Sequence, residues 1–166
     1  MDNQDKVVRI LPHLYRNRGL EKFLQKVAPE LELYEVEASF QEIPLLGTVA
    51  AGKPIEPIEE RGSLTIPADM AVGRYKAYAL QVKGDSMIEE GIRDGDYIII
   101  QEKNEAKNGE TVVALINDQE VTLKKLYIER DHIRLQPANS QMEPIIIHNG
   151  DVKVLGVVCG LIRKFR

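Results

Sequence analysis

From Ile43 onward, short apolar runs alternate with turn dipeptides. The runs are Ala79–Val82, Tyr97–Ile100, Thr111–Ile116, Val121–Leu126, His132–Leu135, Ile145–Ile147 and Val152–Ile162. Between them stand Asp94-Gly95-Asp96, Asn108-Gly109, Asn117-Asp118 and Asn149-Gly150, dipeptides that tolerate positive φ and close tight turns. Strands at this spacing, with no helix long enough for βαβ units, predict a mainly β fold built as a compact antiparallel or mixed sheet. The pattern ahead of Ile43 differs. Leu20, Phe23, Leu24 and Val27 recur at helical spacing between Gly19 and Pro29, which predicts an amphipathic helix. A second helical stretch, Lys6–Tyr15, is interrupted by Pro12. Leu31–Glu37 alternates and reads as a strand or an extended linker. The predicted organisation is a short helical segment with an acidic linker, residues 1–42, and a β-rich domain, residues 43–166.

Composition agrees with a folded chain: 43% of the 166 residues are hydrophobic, enough to bury a core. The net charge of −4 excludes an overall basic footprint for nucleic acid or an anionic membrane. The charge is polarised, however. Residues 1–29 carry a net +3 and residues 30–42 a net −5. The single cysteine, Cys159, rules out an internal disulfide and a cage of Cys pairs around zinc, and fits a reducing compartment. No apolar run approaches the ~20 residues that span a bilayer, and Met1–Arg9 lacks the apolar stretch of a signal peptide. A soluble, cytoplasmic protein with no membrane partner is expected.

Candidate chemistry begins at Val82-Lys83-Gly84-Asp85-Ser86-Met87. Ser86 follows an apolar strand and suits an exposed nucleophile, but a serine there equally suits a helix cap or turn, the commoner role. A serine nucleophile needs a base. His13, His132 and His148 stand in ordinary turn or surface settings and lack the sequence spacing of a metal site, so no metal or cofactor is expected. The Gly-Asp-Ser stretch is similar to that of the Gly-Asp-Ser-Leu esterases. Their downstream Asp-x-x-His is absent, the nearest stretch being Glu129-Arg130-Asp131-His132, which demotes that reading. The other known base is a lysine made neutral by burial. Val121-Thr122-Leu123-Lys124-Lys125-Leu126 sets two lysines in an apolar strand. Alternation puts Thr122, Lys124 and Leu126 on one face and Val121, Leu123 and Lys125 on the other. Parity does not say which lysine turns inward, and gatekeeper lysines on an edge strand are the plainer reading.

The motifs in combination say more. Val82–Met87, Gly91-Ile92-Arg93-Asp94-Gly95-Asp96, Asn108–Ala114, Val121–Leu126, Leu135-Gln136-Pro137-Ala138-Asn139-Ser140 and Gly156-Val157-Val158 occur in order. Leu46-Gly47-Thr48-Val49-Ala50-Ala51-Gly52-Lys53-Pro54 precedes them. This series resembles the LexA family of self-cleaving repressors over residues 43–166. The resemblance implies a strongly bent β-sheet autopeptidase domain with Ser86 as nucleophile beside Lys124 as general base. It implies Lys125 as a solvated neighbour and Ala51–Gly52 as the scissile bond. Backbone N–H groups of Ser86 and Met87 would form the oxyanion hole. It also implies stimulation by the RecA–single-stranded-DNA filament within the SOS response to DNA damage. A homodimer through the C-terminal strand Val152–Ile162 is implied as well, although an ordinary core strand accounts for the same pattern.

The family's winged helix-turn-helix is longer than residues 1–42. Those residues are therefore either a packing appendage or a reduced DNA-binding or docking module, and operator DNA is a weaker expectation than the peptidase. Two alternatives stand beside the repressor. UmuD-like proteins join the same domain to a short tail and regulate a translesion polymerase, but usually carry Cys-Gly at the cut, whereas Ala51-Gly52 stands here. A non-catalytic dimerisation module would leave Ser86 and Lys124 as relics.

Overall fold

The computed structural model describes residues 22, 26–27, 39–50, 55–71, 73, 75–148 and 150–165. Contacts divide the chain into two units, Met1–Ser39 and Phe40–Arg166. In the first, Lys22, Lys26 and Val27 are helical and exposed. Leu31–Glu37, the bond Ala51–Gly52 and the Lys6–Tyr15 stretch lie outside the described residues. Among the described residues no helix is long and apolar enough to cross a membrane.

The second unit is one nine-stranded mixed sheet. Its strands are β1 (Phe40–Ala50), β2 (Glu56–Pro67), β3 (Ala77–Lys83), β4 (Tyr97–Gln101), β5 (Thr111–Ile116), β6 (Glu120–Ile128), β7 (Ile133–Gln136), β8 (Ile145–Ile147) and β9 (Val152–Ile162). The order across the sheet is β2-β1-β3-β4-β9-β5-β6-β7-β8. β1 and β3 pair in parallel; the remaining pairs are antiparallel. The turn signals at Gly95, Gly109 and Asn117-Asp118 take positive φ as expected. Asn117 and Asp118 take φ of 50° and 56° between β5 and β6, the left-handed region that Asn and Asp tolerate best among non-glycine residues.

The long hairpin β1–β2 was not foreseen from the pattern. Its alternation is broken by a register shift between Leu45 and Gly47 and by Pro44. The proline is tolerated because pairing with β3 starts only at Leu45, so the missing N–H faces no ladder on that side. Three apolar clusters fill the interior. Val49, Leu80, Val82, Met87, Ile92, Ile98, Ile100, Val113, Val121 and Leu123 form the first. Val112, Ala114, Ile116, Leu126, Leu135 and Val157 form the second, and Ile43, Leu64, Ile66, Ala79 and Ile99 the third.

One expectation is corrected here. β6 is not an edge strand, since it lies between β5 and β7; both of its faces are covered, and its lysines are not gatekeepers. β9 lies between β4 and β5. Its halves have different neighbours, however. Val152–Val157 pairs with β5 and Val157–Ile162 with β4. Past Val157, no described strand pairs with the flank of β9 turned away from β4. The crossing from one neighbour to the other needs Gly156, where a Cβ would stand 2.4 Å from Ile100 Cγ2 and 2.6 Å from the Gln101 carbonyl oxygen.

Candidate active site

The turn after β3 carries Ser86. Gly84 takes φ +93°, a conformation costly for any residue with a Cβ, and its N–H donates to the Asp94 carboxylate at 2.7 Å. The chain then doubles back through the 3-10 turn Ile88–Glu90. The capping role considered for Ser86 is not the one adopted. Met87 holds the cap position, with no side-chain cap bond. Ser86 is half-buried, and Met87 behind it is 1% exposed in the first cluster. The turn spends the amides of Ile88, Glu89, Glu90, Gly91 and Ile92 on carbonyl acceptors. Those of Ser86 and Met87 have no protein acceptor among the described residues.

Lys124 is 3% exposed. Its Nζ donates to Thr122 Oγ1 at 2.8 Å and to the Leu123 carbonyl at 3.1 Å, and no carboxylate is among its partners. Burial lowers its pKa from 10.5 to about 8, because an apolar setting penalises the ammonium. With both N–H groups of a neutral amine engaged, its lone pair is left as an acceptor. Lys125, one residue on, reaches the Glu90 carboxylate, and that bond raises its pKa. The ambiguity that parity left open is thus resolved by partners: one lysine is buried away from acids, the other is held protonated.

Two links bring these parts of the chain together. β7 pairs Gln136 with Lys125, so Pro137 and Ala138 continue alongside Lys124 and Leu123. The Ala138 carbonyl accepts from the Glu89 amide at 2.8 Å, and Asn139 Nδ2 donates to the Asp85 carbonyl at 2.9 Å. The Ser86 turn is therefore docked on the segment that flanks Lys124. No hydrogen bond joins Ser86 to Lys124 among the described residues.

The sequence pattern of the family described as Peptidase S24-like matches residues 44–159. The chain is 42% identical over 149 residues to the LexA repressor of Geobacillus kaustophilus, covering 89% of this chain and 69% of the relative. It is 54% identical over 123 residues to the LexA repressor of Caldicellulosiruptor saccharolyticus, covering 74% and 59%. The LexA repressor of Syntrophobacter fumaroxidans is 47% identical over 136 residues, covering 82% and 65%. The chain belongs to the LexA-type, Peptidase S24-like family. It spans 59% to 69% of the length of these relatives.

Within this S24-like domain the structure adds residues that the motif pattern left without a role. Thr122 is 1% exposed and shares the Lys124 face; its position two residues before the lysine was the available signal. Asn139 and Ala138 lie in the Leu135–Ser140 motif and bond the turn that carries Ser86. Asp96 and Arg163 clamp the far side of that turn. His132 and His148, read as unrelated surface residues, meet across the β7–β8 pair with ring centroids 5.4 Å apart.

Proposed function

We propose that this chain is a LexA-like repressor that inactivates itself by cutting its own Ala51–Gly52 bond with Ser86 and Lys124. The observation that carries the reading is the buried amine of Lys124, free of any acidic partner and drawn down to about 8. Ser86 Oγ attacks the Ala51 carbonyl carbon while the neutral Lys124 amine takes its proton. The amides of Ser86 and Met87 hold the oxyanion. Collapse of the intermediate expels the Gly52 amine, which receives the proton from the Lys124 ammonium. Water then hydrolyses the Ser86 ester with Lys124 again as base, releasing the Ala51 carboxylate. Register supports delivery of the substrate. Ala50 pairs with Lys83 on the parallel strand β3, so the chain leaves β1 for Ala51 at the same sheet end from which β3 leads to Ser86. An intramolecular substrate also starts at high effective concentration.

The pH dependence tests the base. Only the neutral amine accepts a proton, and with a pKa of about 8 roughly a tenth of it is neutral at pH 7. Cleavage, followed by intact mass from pH 6 to 10, should rise about tenfold above pH 7, with a midpoint near 8, and then level off. A rate that is flat or falls over this range excludes Lys124 as the base.

The SOS setting, with the RecA–single-stranded-DNA filament as stimulant, follows from the family reading, as does a role for residues 1–42 at operator DNA. The homodimer has support in the sheet. The flank of Val158–Ile162 left open beyond β5 suits a second copy related by a two-fold axis. Sedimentation at micromolar concentration should give a dimer. A strictly monomeric wild-type chain removes this part of the proposal.

A further inference from the structure

We propose that Asp131, His132 and His148 form a binding site for one divalent transition-metal ion of the zinc, nickel or copper class. The three residues come from two separate segments. Asp131 and His132 precede β7, and His148 follows β8. The pair Ile133–Ile147 sets the two histidines opposite each other at the open end of the hairpin. One donor atom from each residue lies within 4.8 Å of the other two. Imidazole nitrogens around a tetrahedral zinc stand about 3.3 Å apart, given Zn–N bonds near 2.0–2.1 Å, so the donors need to close by at most about 1.5 Å. His132 Nδ1 and Asp131 Oδ1 already share a 2.7 Å hydrogen bond.

The donor set decides the class of ion. Two imidazoles and one carboxylate suit borderline metals and leave a position for water. Calcium and magnesium require more oxygen ligands than this cluster supplies. The placement also gives the ion a structural consequence. β8 is a three-residue strand at the end of the sheet, paired only with β7. A metal bridge from His148 to His132 would fasten it where it is shortest. The other end of the same hairpin is the loop whose Ala138 and Asn139 hold the Ser86 turn.

The test uses the untagged full chain, stripped with a chelator and titrated with zinc chloride alone at pH 7.5. We expect one zinc per chain with a dissociation constant below about 100 µM, and no heat with calcium or magnesium. His132→Gln and His148→Gln should each weaken binding at least about tenfold. His13→Gln and Cys159→Ser should leave it unchanged. In the wild-type chain, substoichiometric copper should broaden the imidazole resonances of His132 and His148 before those of His13, a readout independent of whether a variant folds. Zinc should also slow amide exchange at Ile145–Ile147. The proposal is overturned if zinc fails to bind at millimolar concentration. It is equally overturned if binding survives both His132→Gln and His148→Gln, or if copper broadens His13 alone.

Discussion

Ser86→Ala should reduce self-cleavage by more than about a thousandfold, the scale on which loss of a catalytic nucleophile is felt. Lys124→Ala should do nearly the same, because the two residues act as one unit and either loss stops proton transfer. Lys125→Ala should change the rate little, since its amine is paired with Glu90 and held protonated. Intact mass after incubation at pH 9 reads all three, with fragments 1–51 and 52–166 as the products. Stability supplies a second readout. The folded state holds the Lys124 ammonium reluctantly, its pKa being about 8 against 10.5. Below pH 8 this difference costs roughly 3 kcal/mol, and the cost vanishes as pH rises toward 10.5. Lys124→Met should therefore be inactive yet gain stability at pH 7, less whatever the lost bonds to Thr122 and Leu123 contribute. An active Lys124→Met together with an inactive Lys125→Ala would shift the register of the site by one residue, and cleavage that persists in Ser86→Ala would exclude the mechanism.

Legibility in the sequence tracked the range of the interactions involved. β5, β8 and β9 begin and end where the apolar runs do, because each run is bounded by residues that favour a turn over a strand. β1 and β2 escaped notice because a register shift and prolines interrupt their alternation. The lysine pair shows the limit of parity. Alternation separates Lys124 from Lys125, but both faces of β6 are packed, with Val121 and Leu123 in one cluster and Leu126 in another. Which lysine is buried follows from long-range packing, and Lys125 is paired with Glu90, an acid brought in by the turn after Ser86. His132 and His148 show the same limit, since only the β7–β8 register places them together.

Arg163→Ala should destabilise the domain and lower its urea midpoint, because it strips the countercharge from a carboxylate that stays buried. Asp96 is 1% exposed. Its two carboxylate oxygens accept from Arg163 Nε and Nη2, each at 2.7 Å, and one also accepts from the Arg93 amide at 2.7 Å. A second bond from Arg163 Nη2 reaches the Gly91 carbonyl at 2.6 Å. The guanidinium thus ties the chain after β9 to the Gly91–Asp96 turn, and that turn supports Gly84 through Asp94. Without Arg163 the carboxylate keeps its burial but loses its countercharge. The bond to Arg163 holds the Asp96 pKa below the usual carboxylate range. Its stabilisation is therefore present above the unfolded carboxylate pKa near 4 and is lost as pH falls through the lower folded value. Urea unfolding at pH 7 should show the full deficit in Arg163→Ala, and the gap to wild type should narrow in strong acid, where both chains carry a protonated Asp96. Because Lys124 keeps its own partners, the pH midpoint of cleavage should stay near 8 in this variant while its rate falls with the positioning of Ser86. A midpoint that moves with the substitution would place Arg163 in the proton-transfer machinery instead.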